Sequence, residues 1–462
     1  MNLKPAVRSL AAPVALALAL SIATLATLAA ITPVAHAQKP FADVGKQEPI
    51  TILTPSTPWL PAWTKMVELY EQQTGNKIKL DVNPFNGVLD KARNDLRGSG
   101  AAYDVVLLDT QWTIEMYEGG FLTAFDEIEP GFKMPNEVLT YDDSGYWNAQ
   151  KRWRTSKGGK LMAFTVLGNV PVWYYRTDVL KDAGLQPPKT IDDIIASCAK
   201  LTKPGQQYGA VMRGERGNPI RYEWMQWMVG RGGSVVKDPE NGDYTVTLNS
   251  PQNKAALDQY IDVTKKCGVP NPGSIGQGDV IQLLSTGKAV QGQLVLAAWA
   301  NFLDPKKSAV VGKIGAVPIP RAADGKYGAV IGNWNYGIPK AIAPAKKKAA
   351  LAFAKWFTTY DAQYAYTKAG GIPNRSDVLA SDLQKDPNMA WMPAYLETMK
   401  TAKQELGYLE GPQVEQVLGL RLNQALIGEM SSGKALNMAA KEIKDIFEKD
   451  GRKTGLGPNL PE

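Results

Sequence analysis

Two short segments of the sequence place an indole ring next to side chains that donate and accept hydrogen bonds. They are residues 54–59 (TPSTPW) and residues 109–112 (DTQW). The side chains in these segments that could contact a ligand are Ser56, Trp59, Asp109, Gln111 and Trp112. A sugar or polyol needs this mixture, because its hydroxyl groups require directional partners and its C–H faces pack on flat aromatic rings. The Asp109 carboxylate could accept from two adjacent hydroxyl groups, although an aspartate after a strand also commonly caps the next helix.

The chain contains one histidine, His36, which lies in a predicted leader peptide. A mature chain without histidine has no Ser-His-Asp or Cys-His catalytic group, no histidine general base and no histidine-ligated zinc. Carboxylate catalysis remains open, so a secreted glycoside hydrolase is an alternative, but the sequence places no second acid opposite Asp109. We therefore expect a binding protein and not an enzyme, with no cofactor and no bound metal.

Adjacent tyrosines are a second feature with possible chemistry, because paired phenol oxygens can bind ferric iron. Tyr174 and Tyr175 lie in an apolar run of the sequence, so one ring should face the core and the other a helix. Because of this tyrosine pair, a ferric-iron-binding periplasmic protein is a further alternative, although rings that face opposite sides do not favour it.

The segments 54–59 and 109–112 each follow a predicted β-strand. Predicted strands and helices alternate in this part of the chain, with strands at residues 50–53, 78–82 and 104–108 and helices at residues 62–73, 88–96 and 112–117. This order predicts an α/β fold with a mostly parallel sheet and helices on both faces. Ligands of such sheets bind beyond the carboxyl ends of the strands, which is where both segments lie.

A second unit of similar style begins near residue 170. It contains predicted strands at residues 172–175 and 293–298, a turn at Asn241-Gly242, and predicted helices at residues 191–201, 253–266, 346–358, 361–368 and 437–448. Thr190 is the expected N-cap of the helix at 191–201. No Gly/Ser-rich linker separates the two units.

The first 37 residues predict a signal peptide. Lys4 and Arg8 form its cationic start, residues 10–31 are apolar and uncharged, and Ala35 and Ala37 provide the small-x-small cleavage pattern. An uncleaved membrane anchor is the alternative, but Pro13 and the small residues favour cleavage after Ala37. We therefore expect a soluble protein in the periplasm.

The formal net charge of +7 comes from basic residues that are scattered along the chain, with one cluster at residues 346–348. This distribution does not predict a nucleic-acid-binding surface. Cys198 and Cys267 are the two cysteines, and both lie in predicted helices. In an oxidising compartment they could form a disulfide bond, or they could remain as two buried thiols.

The order of six further segments resembles the family-1 extracellular solute-binding proteins, a group that contains maltose- and trehalose-binding proteins. The segments are residues 70–82 (YEQQTGNKIKLDV), 103–125 (YDVVLLDTQWTIEMYEGGFLTAF), 172–191 (VWYYRTDVLKDAGLQPPKTI), 287–299, 332–339 (GNWNYGIP) and 370–375 (GGIPNR). The resemblance covers nearly the whole chain after the leader.

This resemblance implies a two-lobe periplasmic binding protein fold, type II-like, with a ligand cleft between the lobes and hinge crossovers. It implies a first lobe of residues 38–166 plus 331–372 and a second lobe of residues 167–330 plus 373–462. Such a monomer would capture an oligosaccharide or polyol and deliver it to the permease subunits of an ABC transporter in the inner membrane.

The resemblance also implies ligand contacts in addition to those in the two segments. They are Asn169, Tyr222, Trp224, Trp299, Asn301, Trp334 and Arg375. Asn169 departs from the aspartate that the family often has, which leaves the identity of the ligand open. Tryptophans more often fill cores, and Arg375 could instead pair with an acid.

Overall fold

The computed structural model describes residues 43–98, 102–404 and 406–462. The predicted signal peptide and its cleavage after Ala37 therefore lie outside the described residues. None of the helices in the described ranges combines the length and the apolar character that a bilayer span requires.

Strands and helices alternate along most of the described chain, as the sequence predicts. The strands are β1 (Ile50–Pro55), β2 (Ile78–Asn83), β3 (Val105–Asp109), β4 (Tyr146–Trp147), β5 (Lys160–Leu161), β6 (Ala163–Leu167), β7 (Pro171–Arg176), β8 (Val236–Asp238), β9 (Asp243–Val246), β10 (Gln291–Val295), β11 (Ile314–Val317), β12 (Ala329–Val330), β13 (Trp334–Gly337) and β14 (Ala402–Lys403). The helices are α1 (Leu60–Thr74), α2 (Phe85–Arg97), α3 (Thr110–Glu118), α4 (Phe125–Ile128), α5 (Thr177–Asp182), α6 (Ile191–Leu201), α7 (Asn218–Gly230), α8 (Pro251–Cys267), α9 (Gln277–Ser285), α10 (Trp299–Leu303), α11 (Pro344–Phe357), α12 (Tyr360–Lys368), α13 (Ser376–Leu379), α14 (Met392–Met399), α15 (Gly411–Leu426) and α16 (Ser432–Lys449).

The first sheet has five strands in the order β2-β1-β3-β13-β6. β1 pairs in parallel with β2 and β3, which confirms the parallel βαβ arrangement expected for residues 50–108. β13 comes from much later in the chain and pairs antiparallel with both β3 and β6. The sheet is therefore mixed, and its parallel half carries both strand ends that the sequence associates with a ligand, those of β1 and β3.

The core against the first sheet is aromatic. The buried face of α1 presents Trp63 and Tyr70 at helical spacing, and α11 presents Phe353 and Phe357 against them. The ring centres of Trp63 and Phe357 are 5.1 Å apart, and those of Tyr70 and Phe353 are 5.0 Å apart. Edge-to-face contacts of this kind fix the two helices on the sheet.

The second sheet has three strands in the order β10-β7-β11, and both pairs are antiparallel. The second unit therefore differs from the first, although the sequence suggested a similar style. The predicted turn at Asn241-Gly242 connects the antiparallel strands β8 and β9, with Gly242 at φ 81°. α7 and α8 pack together beside this sheet, and α15 and α16 pack on them from the far end of the chain.

A disulfide bond joins Cys198 of α6 to Cys267 of α8. Of the two possibilities that the sequence left open, the structure thus has the bridge. α6 begins with the predicted cap, because Thr190 accepts from the backbone N–H of Asp193 while the Asp193 carboxylate accepts from the N–H of Thr190.

The chain passes between the two sheets where β6 leads to β7, and again where β11 leads through β12 to β13. These two crossings lie side by side, since the N–H of Gly332 donates to the carbonyl of Asn169 at 2.9 Å. The side chain of Asn169 accepts from the N–H of Ala297 at 3.1 Å, which attaches the crossing to the end of β10. Gly168 allows this close packing, because a Cβ atom there would lie 1.9 Å from the hydroxyl of Tyr141.

Candidate functional site

A cavity of about 440 Å³ lies between the carboxyl ends of the parallel strands and the helices beside the second sheet. Its walls on the side of the first sheet are the segments that follow β1, β2 and β3, namely residues 56–59, 84–86 and 109–111. Its opposite walls come from residues 213–222, Gln277, Glu415 and Gln416. The two crossings contribute Asn169, residues 330–332 and Trp334. The volume is that of a small-molecule site.

Aromatic rings form one wall of this cavity. The ring centre of Trp334 lies 6.1 Å from that of Trp59, 5.8 Å from that of Phe85 and 5.5 Å from that of Trp112. Trp59, Phe85 and Trp334 line the cavity, whereas Trp112 packs behind them against Phe85 and Trp334. This wall offers flat apolar surface to one face of a ligand.

Trp334 is directed by its neighbours in β13. Asn333 and Asn335 flank it, and side chains alternate along a strand, so both amides point away from the indole. Asn333 donates to the hydroxyls of Thr165 at 2.7 Å and Ser144 at 2.9 Å, and Asn335 donates to Thr110 at 3.0 Å. This buried network of hydrogen bonds fixes β13 between β3 and β6 and holds the indole toward the cavity.

The floor of the cavity is polar and centres on Asp109. Its carboxylate caps α3 by accepting from the N–H of Gln111 at 3.3 Å, so the helix-cap alternative holds while the residue also lines the cavity. Burial raises the pKa of Asp109 to about 6, and the nearby positive charge of Arg221 partly opposes that increase.

Arg221 lies opposite Asp109 on α7. It donates to the side-chain oxygen of Gln111 at 2.8 Å and forms an ion pair with Glu415 of α15. Burial lowers the pKa of Arg221 to about 10, so the guanidinium remains charged at neutral pH. Asn218 also donates to Glu415, at 2.9 Å.

A second ion pair forms the wall beside α7. Arg213 donates to the carboxylate of Glu223 at 2.6 Å and to Gln277 at 3.4 Å. Burial raises the pKa of Glu223 to about 7, although Arg213 lowers it in part. The Arg213 guanidinium also lies 5.3 Å from the ring centre of Tyr222, whose hydroxyl donates to the carbonyl of Val330 at 2.9 Å.

The structure brings seven of the residues expected from the sequence to this cavity. They are Ser56, Trp59, Asp109, Gln111, Asn169, Tyr222 and Trp334. The indole of Trp112 is adjacent, in the layer behind Trp334. The segments after β1 and β3, which were chosen from the sequence pattern, thus meet the crossings, which were chosen from the resemblance.

Four other expected residues lie elsewhere. Trp224 is fully buried in α7, a helix with core contacts on nearly every side. The indole of Trp299 stacks on Tyr174 and donates to the carbonyl of Asn388 at 2.7 Å, beside a separate cavity of about 370 Å³. Asn301 donates to the carbonyl of Ala298 within its own helical turn.

Arg375 is the fourth of these residues, and its guanidinium is fully engaged. It donates to both carboxylate oxygens of Asp377, at 2.8 and 2.6 Å, and to the carbonyl of Thr358 at 2.8 Å. The pairing with an acid that the sequence left open is the arrangement in the structure.

Several residues of the cavity have no counterpart among the expected contacts. They are Thr57, Phe85, Asn86, Arg213, Arg216, Arg221, Ala297, Gln404 and Glu415. Phe85 and Asn86 follow β2, so the rule applied to β1 and β3 could have found them. Arg221 and Glu415 meet only through the packing of α7 against α15, which no local pattern in the sequence indicates.

The residues described contain no group of three or more Asp, Glu, Cys or His side chains placed to hold a metal ion. Tyr174 is buried, and its hydroxyl donates to the carbonyls of Val295 and Leu296 at 3.1 Å. Tyr175 is the next residue of the same strand, so its ring points to the other face of the second sheet. The two phenols do not converge on one point.

Comparison with known proteins identifies relatives over most of the chain. Residues 54–364 match the sequence model of the family described as bacterial extracellular solute-binding protein. A probable amino-acid ABC transporter periplasmic-binding protein from Sinorhizobium fredii is 26% identical over 332 residues, which cover 69% of this chain and 70% of that protein. A mannitol-binding protein from Pseudomonas aeruginosa is 24% identical over 422 residues, which cover 86% of this chain and 93% of that protein.

The fold is also found in solved structures. The crystal structure of an ABC transporter solute-binding protein from Agrobacterium radiobacter in complex with ribitol superposes with a TM-score of 0.76 at 24% identity, covering 88% of this chain and all of that one. The predicted fold class is therefore confirmed: the chain has the α/β fold of two-lobe periplasmic binding proteins, with a cleft between the lobes.

Proposed function

The chain belongs to the family of bacterial extracellular solute-binding proteins, and on that premise we propose that it captures a polyol or oligosaccharide in its cleft and delivers it to the permease subunits of an ABC transporter. The mannitol-binding relative and the ribitol complex support a hydroxyl-rich ligand. The name of the Sinorhizobium fredii relative makes an amino acid the ligand to exclude.

One observation carries the proposal. The cavity joins an aromatic wall, made by Trp59, Phe85 and Trp334, to a floor that carries both hydrogen-bond donors and a carboxylate acceptor. A sugar or polyol satisfies both surfaces, because its C–H groups pack on the indoles while its hydroxyls each donate and accept.

We assign residues 38–166 plus 331–372 to the first lobe and residues 167–330 plus 373–462 to the second. The first sheet draws its strands from the first set, including β13, except that β6 ends one residue beyond it, and the second sheet draws its strands from the second set. The contacts of α15 and α16 with α7 and α8 support placing the C-terminal helices in the second lobe.

Delivery to a membrane transporter requires export, and we propose that the signal peptide is cleaved after Ala37 and that the mature protein acts in the periplasm as a monomer. The family description as extracellular supports export. The disulfide bond between Cys198 and Cys267 supports it too, because such bonds persist in oxidising compartments.

A binding protein leaves its oligosaccharide ligand intact, which distinguishes this function from glycoside hydrolysis. The cavity holds two further acids: Arg221 and Asn218 occupy the carboxylate of Glu415, and Glu215 lies at the exposed rim. We expect the protein to bind oligosaccharides without cleaving them, as measured by chromatography after long incubation. Accumulation of shorter sugars would contradict the proposal.

The ligand class can be tested by thermal unfolding. Mannitol, ribitol, maltose and a set of amino acids are added separately to the purified protein, and we expect sugars or polyols alone to raise the melting temperature. A ligand at 100 times its dissociation constant stabilises the folded state by about 2.7 kcal/mol. A protein stabilised by amino acids and by none of the polyols or sugars would not have the proposed function.

Truncating the aromatic wall should weaken binding. Trp334→Ala is expected to reduce the binding free energy by about 1–3 kcal/mol, since a buried aromatic anchor is lost. The void left beside Trp59 and Phe85 also lowers stability, so binding is measured by calorimetry well below the melting temperature.

Trp391→Ala is the matched control for this change. Trp391 is as buried as Trp334, at 3% against 4% exposed, but it lines the separate cavity near Trp299. It should lose stability and keep its affinity. Equal losses of affinity in both variants would mean that Trp334 acts only through folding.

A further inference from the structure

Arg221 connects the two lobes across the floor of the cavity. It belongs to α7 beside the second sheet, whereas its acceptor Gln111 lies in the first turn of α3, directly after β3 of the first sheet. Arg221 is 5% exposed and Gln111 is 4% exposed, so this cross-lobe hydrogen bond is shielded from bulk water. Hydrogen bonds made by a buried charged group are among the stronger ones in proteins.

Arg221 interacts with two carboxylates of the floor. It forms an ion pair with Glu415, and its positive charge lowers the pKa of Asp109. Among the other charged groups around the floor, Arg213 is paired with Glu223, while Glu215 and Arg216 lie at the exposed rim of the cavity. The phenol of Tyr222 also faces Asp109 and Arg221.

The floor has hydrogen-bond donors without a partner and an acceptor that can take further hydrogen bonds. Within the described part of the chain, Nε of Arg221 and Nε2 of Gln111 are buried donors without an acceptor. The neighbouring Asp109 carboxylate is an acceptor that receives the backbone N–H of its own helix cap and lines the cavity. Buried polar groups normally find partners, so a ligand group that both donates and accepts would complete the set.

We propose that Arg221 determines specificity in this protein: together with Asp109 and Gln111 it selects two adjacent uncharged hydroxyl groups of the ligand and rejects a carboxylate or an ammonium group in their place. This inference rests on the proposed function. One hydroxyl donates to Asp109, and its oxygen or that of its neighbour accepts from Arg221 and Gln111.

A ligand group of either charge leaves part of the floor without a partner. A carboxylate accepts from Arg221 and Gln111 but has no proton for Asp109, and the two negative charges repel each other. An ammonium group donates to Asp109, but it cannot accept from Gln111 or Arg221 and is repelled by the latter. Unpaired buried groups are a strong source of discrimination between ligands of equal size.

A zwitterionic amino acid could supply both an acceptor and a donor. Its two charged groups, however, must lose their hydration water when they reach the floor. The charges of Arg221, Asp109 and Glu415 already largely neutralise one another there, so they offer little in return. That desolvation is expensive, while two hydroxyl groups make the same contacts without it. The floor therefore favours the polyol.

The first test uses the wild-type protein and ligands matched in size. Mannitol is compared with mannonate and 1-amino-1-deoxymannitol, and maltose with maltobionate and 1-amino-1-deoxymaltitol, by calorimetry at pH 7.5. We expect one neutral parent to bind and both of its charged derivatives to bind at least about 30-fold more weakly. A derivative that binds as tightly as its parent, or an amino acid that binds, would overturn the inference.

The second test changes Arg221 itself. Arg221→Gln and Arg221→Lys should each reduce affinity for the neutral parent by about 10-fold or more, because the planar guanidinium that reaches Gln111 is lost. Arg221→Gln should keep or increase the discrimination against mannonate, since Asp109 still repels the acid and the cation that could pair with it is lost. Arg231→Gln, at the end of the same helix and bonded to Gln259, is the matched control and should bind as the wild type does.

A pH profile distinguishes this role from a structural one. Wild-type affinity should fall as the pH drops through about 6, because Asp109 then takes up a proton and is a weaker acceptor for the ligand hydroxyl. Arg221→Gln should move this decline to higher pH, since the positive charge of Arg221 lowers the pKa of Asp109. A variant with lower melting temperature and an unmoved pH profile would show that Arg221 only stabilises the fold, which would overturn the inference.

Failure of the two proposals gives different results. If the wild type binds neither mannitol nor maltose, nor any other sugar or polyol, the proposed function fails and this inference fails with it. If a neutral parent binds but the charged derivatives and the Arg221 variants bind equally well, only the inference fails.

Discussion

Asp109 serves two purposes that have opposite effects on stability. As the N-cap of α3 it satisfies a backbone N–H, which stabilises the helix. As a partly buried acid on the cavity floor it has a pKa raised from 3.8 to about 6, so its ionised form is disfavoured in the folded protein. The folded state holds this proton more tightly than the unfolded chain does, and this group therefore lowers stability as the pH rises from about 4 to 6.

Replacing Asp109 by Asn should stabilise the protein and weaken binding. Asparagine caps a helix as well as aspartate does, and it removes the buried charge. We expect the free energy of unfolding, measured with denaturant at pH 7.5, to rise by about 1–3 kcal/mol relative to the wild type. This gain should shrink as the pH is lowered toward 4.

Calorimetry with the neutral ligand should show the opposite change for affinity in Asp109→Asn. A variant whose stability gain is equal at pH 7.5 and pH 4 would mean that burial of the carboxylate is not its cause. A variant that binds as the wild type does would remove the Asp109 carboxylate from the set of ligand acceptors.

Residues that line the cavity could be predicted where a segment directly follows a strand. Ser56, Trp59, Asp109 and Gln111 were found in this way, because the end of a parallel strand fixes where the next residues lie. The direction of a side chain in a short helical segment is harder to infer. After β10 the chain forms a 3-10 turn, and Ala297 lines the cavity while Trp299, two positions later, does not.

At the scale of elements, the disulfide bond holds together two helices of the second lobe. It joins α6 to α8 over a sequence separation of 69 residues. Both sulfur atoms are buried, with Cys198 3% exposed and Cys267 fully buried. The bridge chiefly restricts the unfolded chain, so it should affect stability more than binding.

Removing both cysteines as Cys198→Ala and Cys267→Ala should lower the free energy of unfolding by about 4 kcal/mol, from the chain-entropy relation for a loop of this length. Denaturant unfolding of the double variant and of the oxidised wild type measures the difference. Ligand affinity, taken at low denaturant, should remain unchanged. A loss below about 1 kcal/mol would mean that the unfolded chain gains little freedom when the bridge is absent.

The longer helices could be predicted where their apolar residues follow a clear period over ten or more positions. α6 begins and ends at the predicted residues, and α1 and α8 differ from the prediction by one to two residues at each end. β13 could not be recognised as a central strand. It has four residues, and its place between β3 and β6 depends on pairing with partners far away in the chain.

At the scale of the whole molecule, Asn169 joins three separate parts of the chain. Its backbone carbonyl accepts from Gly332 of the neighbouring crossing, and its side chain accepts from Ala297 at the end of β10. Ala297 is 2% exposed, so its N–H has little access to water if the amide of Asn169 is lost. The relative position of the crossings depends on this residue.

Asn169→Ala should lower the free energy of unfolding by about 1–3 kcal/mol, since it leaves a buried donor unsatisfied. The variant should also populate more open arrangements of the lobes, which small-angle X-ray scattering would record as a larger radius of gyration without ligand. Asn301→Ala is the matched control, because that amide bonds only within its own turn. Equal effects of the two changes would contradict a particular role for Asn169 at the crossing.

The late insertion of β13 has a consequence for synthesis. When a ribosome has released residues 50–167, β3 and β6 are present but the strand that separates them is not, so the edges of β3 and β6 that later pair with β13 are both unpaired. The five-stranded sheet is complete only after Gly337 has emerged, and contacts of such long sequence separation form slowly. The export that we propose requires the chain to pass through a translocation channel before it folds, and the late pairing of β13 keeps the first sheet incomplete for longer.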